Sequence, residues 1–206
     1  PAIGAASQLA TIVTSAPPGN TLDATPACSE PDKLPWFNVT PAEVEQTCEM
    51  MGAHICDCTT EWRSACRVSP PPNPNCFWGY AANGPACRAS FTASKRCNLG
   101  VSFDFDPGAP GNQDGLLPTG DLEADNCYAD WSPVPGHLGP NRIFDLTGNL
   151  REIVRDGGTF RVVGGAFNTQ AESGATCDFD FYAVSASFKF FDTGFRCCFD
   201  EDPSPP

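Results

Sequence analysis

Twelve cysteines set among 21 prolines and 19 glycines constrain this 206-residue chain more than any other feature. Proline breaks a helix interior and glycine weakens it. Long helices therefore have little room, and much irregular chain must be tied down by other means. An even number of cysteines in an acidic chain with only two methionines reads as disulfides in an exported protein. A zinc centre fits less well. Cys56-x-Cys58 and adjacent Cys197-Cys198 lack the usual knuckle spacing, and His54 and His137 are the only histidines. The length is that of one domain with a sizeable core.

The formal charge of −13 argues against nucleic acid and anionic membrane surfaces as partners. It favours bound cations or plain solubility. No apolar run is long enough to span a bilayer. The chain opens on Pro1 without initiator methionine or signal sequence and reads as a processed or truncated product.

Three parts follow from the pattern. Residues 1–34 look loosely structured, with residues 9–13 as a short strand or helical turn. Residues 35–199 carry the domain, and residues 200–206 form an acidic, proline-rich tail. Within the domain, Thr40 is an N-cap, Pro41 suits the first helical position and Glu43 completes a capping box. Val44, Cys48 and Met51 then share one helical face, and Gly52 ends the helix. A second short helix is predicted to start at Thr59 or Thr60 and to carry Glu61, Trp62, Ala65 and Cys66. Residues 68–142 are aperiodic and rich in proline and glycine, a length of loop that needs ions or disulfides to order it. Thr159–Val163 and Ala166-Phe167 read as one strand interrupted by Gly164-Gly165. Residues 178–185 alternate with a period of two, and residues 195–199 form the last strand.

The most chemically suggestive stretch has the pattern D-x-x-G-N-x-x-E: Asp145, Gly148, Asn149 and Glu152 inside an apolar frame. A Gly-Asn pair admits positive φ, so the backbone can turn sharply and aim carbonyls inward. Asp145 and Glu152 can then close on one point, which suits a hard cation such as Ca²⁺. An acidic solvated loop would have the same spacing. Asp104, Asp106 and the acids of residues 121–125 read as surface charge.

Three separated blocks occur in an order that resembles the formylglycine-generating (sulfatase-modifying factor) family. Residues 35–67 are similar to the segment that ends "T-E-x-E-W-x-x-A-x-R", with Gly52, Thr60, Glu61, Trp62 and Arg67 in matching places. One extra residue lies between Gly52 and Trp62. Gly148-Asn149 with Glu152 resembles "GN-x-x-E". Gly164-Gly165-Ala166-Phe167 and Gly194-Phe195-Arg196-Cys197 resemble "GGS" plus an aromatic and "GFRC". The family's first strand and helix are unrecognisable in residues 1–34. The resemblance implies an α+β, C-type-lectin-like domain with little regular secondary structure. It implies structural Ca²⁺ held by the Asp145 and Glu152 side chains with the Gly148 and Leu150 carbonyls. A further Ca²⁺ is implied at the Asn98 and Asp114 side chains with the Leu99 and Leu116 carbonyls, where a plain Asn-Asp-Gly turn is the alternative.

The family oxidises a substrate cysteine with copper held by two thiolates, a ligand type suited to Cu(I). In this chain Ala166 stands at the family's serine and Thr169 at its first active-site cysteine. Cys177 follows too late to be the second. Arg151 and Ile153 replace the tryptophans that flank the family's glutamate. No copper and no catalytic residue are therefore expected. The expected function is a non-catalytic extracellular or periplasmic module that binds an unknown protein or glycan, or serves as structure. Two alternatives stand beside it: an oxidase that uses Cys177 with another cysteine, and a subunit of a self-assembling surface filament. In related display proteins the residues just before "GFR" vary. Here residues 178–192 are rich in interleaved Phe, which favours core over binding surface.

The resemblance also implies disulfides between Cys48 and Cys197, and between Cys66 and Cys177. Cys198 points away from Cys197 on an extended strand, so it requires Cys56 or Cys58. Cys76 with Cys87 and Cys97 with Cys127 would close the middle, leaving Cys28 for the remaining thiol of Cys56 and Cys58.

Overall fold

The computed structural model describes residues 35–67, 97–99, 115–118, 128–130, 142–169, 174 and 176–200. Residues 1–34, the tail from 201 onward, Asp114, His137, Cys28, Cys76, Cys87 and Cys127 lie outside them, as do Asp104, Asp106 and residues 121–125. The described part is mixed α and β with few helices and several small sheets.

Helix α1 spans Pro41–Met50. It starts where the sequence sets it. The Thr40 side chain accepts from the Glu43 amide, and the Glu43 carboxylate accepts from the Thr40 amide at 2.7 Å. Val44 and Cys48 are buried on its inner face. The next helical segment opens as a π turn, Cys58–Trp62, and continues as the short α2, Arg63–Cys66. Asp57 caps it by accepting from the amides of Thr59 and Thr60 at 2.9 and 2.7 Å.

The main sheet has four strands in the order β6-β5-β4-β7. These are β4 Arg151–Asp156, β5 Thr159–Val163, β6 Asp180–Val184 and β7 Thr193–Phe195. β4 runs antiparallel to β5 and parallel to β7. Successive β4 side chains enter opposite halves of the core, as the pleat requires. Ile153 packs with Trp36, Phe37, Val44 and Phe160, while Val154 packs with Trp62, Leu99, Leu146 and Val163. Two two-stranded ladders flank the sheet: β1 (His54–Ile55) with β8 (Cys197–Cys198), and β2 (Tyr128–Asp130) with β3 (Arg142–Phe144).

Two strand expectations need correction. β5 ends at Val163, and Ala166-Phe167 lies in no strand. Gly164 turns the chain away at φ +69°, where a Cβ would sit 2.7 Å from the Leu146 carbonyl oxygen. The last strand divides at Arg196, β7 joining the main sheet and β8 joining β1.

Disulfides join Cys48 to Cys197, Cys56 to Cys198 and Cys66 to Cys177. The neighbouring Cys197 and Cys198 pack against different core clusters, which is how two adjacent cysteines staple two different elements. Cys97 is also disulfide-bonded. Cys58 departs from the expected framework, because it is the free cysteine among the described residues. The β1–β8 ladder aligns Ile55 with Cys197 and His54 with Cys198, which brings Cys56 to Cys198. Cys58 begins the π turn and faces β6, its Sγ 3.9 Å from Asp180 Oδ1. Three disulfides fit an oxidising compartment. No described helix is long and apolar enough to cross a membrane.

Candidate functional site

The loop at residues 145–150 carries three left-handed residues: Asp145 at φ 53°, Gly148 at φ 85° and Asn149 at φ 61°. This sharp path brings it against two segments distant in sequence. The Gly148 amide donates to the Gly165 carbonyl at 2.8 Å, and the Asn149 amide donates to the Asn98 carbonyl at 2.8 Å. A Cβ on Gly148 would lie 2.9 Å from that Asn98 oxygen, so only glycine permits the approach. The Asn149 side chain clamps the Leu117 backbone, accepting from its amide and donating to its carbonyl, each at 2.9 Å. The two expected cation loops are therefore one structure with Asn149 at its joint. Sequence reasoning used Asn149 only for its backbone freedom and missed this clamp.

Asn98 lies at the centre, fully buried, with Leu99 and Leu116 buried beside it. Its Nδ2 donates to the Gly115 carbonyl at 2.7 Å and to Asn149 Oδ1 at 3.1 Å. Both partners are acceptors, which fixes the orientation of the amide. Its Oδ1 is buried and, among the described residues, has no hydrogen-bond partner. An unpartnered buried acceptor is costly, and an oxygen-seeking cation would satisfy it.

Glu152 is differently engaged. Its Oε2 accepts from Trp62 Nε1 and from Arg196 Nε, each at 2.6 Å, and its Oε1 accepts from Arg196 Nη2. Arg196 Nη2 also donates to the Phe144 carbonyl at 3.2 Å. Burial pulls the Arg196 proton affinity down, but Glu152, with help from Asp145, carries it above the ordinary guanidinium value. Both carboxylates expected as ligands thus act on a guanidinium that already supplies positive charge. Gly148 and Leu150 are buried in the same loop. In the sequence Arg196 stood only as a letter of "GFR", 44 positions from Glu152, and nothing local pointed to their pairing.

At the positions that resemble the oxidase centre, the Thr169 hydroxyl and the Cys177 sulfur are already engaged. Thr169 is buried, its amide donates to the Ala166 carbonyl at 2.8 Å, and its Oγ1 accepts from the Ala166 amide at 2.9 Å. Cys177 is bonded to Cys66. Ile153 is core. Arg151 stacks on Phe181 at 4.2 Å, with its Nη2 3.2 Å from Asp192 Oδ2, and Asp192 is fully buried. The free thiol of Cys58 is buried, and that burial raises its pKa. It is held as a thiol, the unreactive form.

The aromatic residues before "GFR" are not core. Phe179, Phe181, Phe188 and Phe191 are half-buried, while Tyr182 and Phe190 are exposed. Their rings touch in series from Phe179 through Phe181, Tyr182, Phe188 and Phe190 to Phe191 and Phe167. β6 is the outer strand of the main sheet among the described residues. No family model matches the chain, and no curated protein matches it.

Proposed function

We propose that this chain is a non-catalytic module on a formylglycine-generating-enzyme-type, C-type-lectin-like scaffold, stapled by disulfides and stabilised by calcium, that works outside the cytoplasm as a binding or structural unit. The observation that carries the loss of chemistry is the Ala166–Thr169 ring. A hydroxyl stands where a copper-binding thiolate would be needed, and it is spent on a backbone amide. The nearest following cysteine, Cys177, is closed in a disulfide. The unpartnered Oδ1 of Asn98 supports a calcium near Asn98, with Asp114 and the Leu99 and Leu116 carbonyls as the remaining ligands. At Asp145 and Glu152 a calcium would have to displace or share with Arg196, so this half of the reading is the weaker fit.

The test has two arms. With copper, oxygen and a cysteine-containing peptide, the chain should form no aldehyde above a copper-only control; turnover would overturn the non-catalytic reading. Excess chelator should lower the melting temperature by several degrees, and Asn98→Ala should abolish that sensitivity. Melting indifferent to chelator would remove calcium from the proposal.

A further inference from the structure

Residues 97–99 and 115–118 belong to no helix or strand, so no ladder fixes their peptide groups. Asn149 is buried and reaches both segments. Its Oδ1 accepts from the Leu117 amide at 2.9 Å and from Asn98 Nδ2 at 3.1 Å. Its Nδ2 donates to the Leu117 carbonyl at 2.9 Å. Its own backbone amide donates to the Asn98 carbonyl at 2.8 Å.

These bonds pass polarity from one group to the next. A backbone N–H only donates and a backbone carbonyl only accepts. The Asn149 carboxamide therefore fits against Leu117 one way round. Its Oδ1 then faces Asn98 and requires a donor there. Asn98 supplies Nδ2, which also donates to the Gly115 carbonyl at 2.7 Å. A half-turn of the Asn98 amide would set its oxygen against both acceptors. Asn98 Oδ1 is thus held away from them, buried and without a hydrogen-bond partner among the described residues. A hard cation takes an oxygen ligand, and the amide nitrogen would not serve. Asn149 Oδ1 already accepts from two N–H groups, which occupies both its lone pairs.

We propose that Asn149, without being a ligand, is the positioning residue of a cation site at Asn98: its carboxamide carries the polarity of the Leu117 backbone to Asn98 and so aims Asn98 Oδ1 at the ion. The inference rests on the calcium reading above and names what presets that site.

Asn149 stands at φ 61°, a conformation that glycine adopts without strain. Asn149→Gly therefore removes the carboxamide and keeps the backbone path. Titration calorimetry of the chelator-stripped full chain with calcium chloride reads the effect. Affinity should fall on the order of tenfold to a hundredfold, the usual loss when a group behind a metal ligand is removed. Thr40→Ala, which weakens the fold at α1 instead, should leave the affinity unchanged. Terbium in place of calcium supplies a readout that destabilisation alone would not move, because its luminescence lifetimes in light and heavy water count coordinated water. Asn149→Gly should admit additional water, since Asn98 Oδ1 is no longer held in place. A weakened site with the same water count would overturn the inference. Should Asn149→Gly not fold, the wild-type chain decides. Calcium and the clamp stabilise each other reciprocally, so chelation should speed hydrogen exchange of the Asn149 side-chain amide. Exchange indifferent to calcium would overturn the inference. A wild-type chain that binds no calcium would remove the calcium reading and the inference together. Equal affinity in wild type and Asn149→Gly would remove the inference alone.

Discussion

At the residue scale, two buried groups define what the protein tolerates. Glu152 is held by three donors from two side chains, Trp62 and Arg196, and lies in the core. Glu152→Gln leaves the Arg196 guanidinium with only the more distant help of Asp145 and should cost about 3 kcal/mol in urea unfolding. Pairing it with Arg196→Met should recover part of that loss, because the stranded charge is then gone. Cys58 makes the second prediction. Burial raises its pKa above the ordinary 9.0, with Asp180 and Asp156 adding and Arg63 opposing. The folded state therefore holds the proton more tightly than the unfolded state. This contribution is present below the unfolded pKa and is lost as pH rises through the folded value. Melting temperature should fall on the alkaline side of pH 9.0, and Cys58→Ala should flatten that fall. Alkylation at neutral pH should label Cys58 only after unfolding.

At the scale of elements, α1 was fully legible in the sequence because its signals are local. Thr40, Pro41 and Glu43 act within one turn, and the capping box forms as read. Thr40→Ala should cost about 1 kcal/mol, measured by chemical denaturation, while leaving the three disulfides intact. The second helix was placed correctly, but its π opening was not foreseen. That opening follows from Asp57, whose carbonyl accepts from both the Glu61 and the Trp62 amides. The strands were harder to read. Val162 and Val163 look alike in sequence, yet the register against β6 shifts between them, at Phe181. A bulge of this kind inserts an extra residue and changes which side chains share a face, and no periodicity announces it.

At the scale of the whole molecule, the disulfides close loops that span most of the chain, with separations of 149, 142 and 111 residues. Each removes unfolded-state entropy over a long loop. Replacing Cys48 and Cys197 together by alanine should cost roughly 2 to 5 kcal/mol, read from the shift in denaturation midpoint. A change well below that range would mean that α1 and β8 hold together by packing alone. The same staples bring α1 and the π-turn segment onto the C-terminal strands, so the carbonyl-rich loop at residues 145–150 is formed against a fixed frame.

The sequence by itself determined α1 and its cap, the presence of a second short helix, the disulfide-dense class and the sharp Gly-Asn loop. Each of these depends on neighbours along the chain or on composition. It also marked Asp145 with Glu152, and Asn98 with Asp114, as oxygen ligands at two separate places. What each donor does was decided only in three dimensions. Arg196 is 44 positions from Glu152, Trp62 is 90 away, and both bond the same carboxylate. The choice between Cys56 and Cys58 was likewise settled by a two-residue ladder with the end of the chain. Contacts between distant segments depend on which surfaces the packed sheet brings together, and local residue patterns do not encode that geometry.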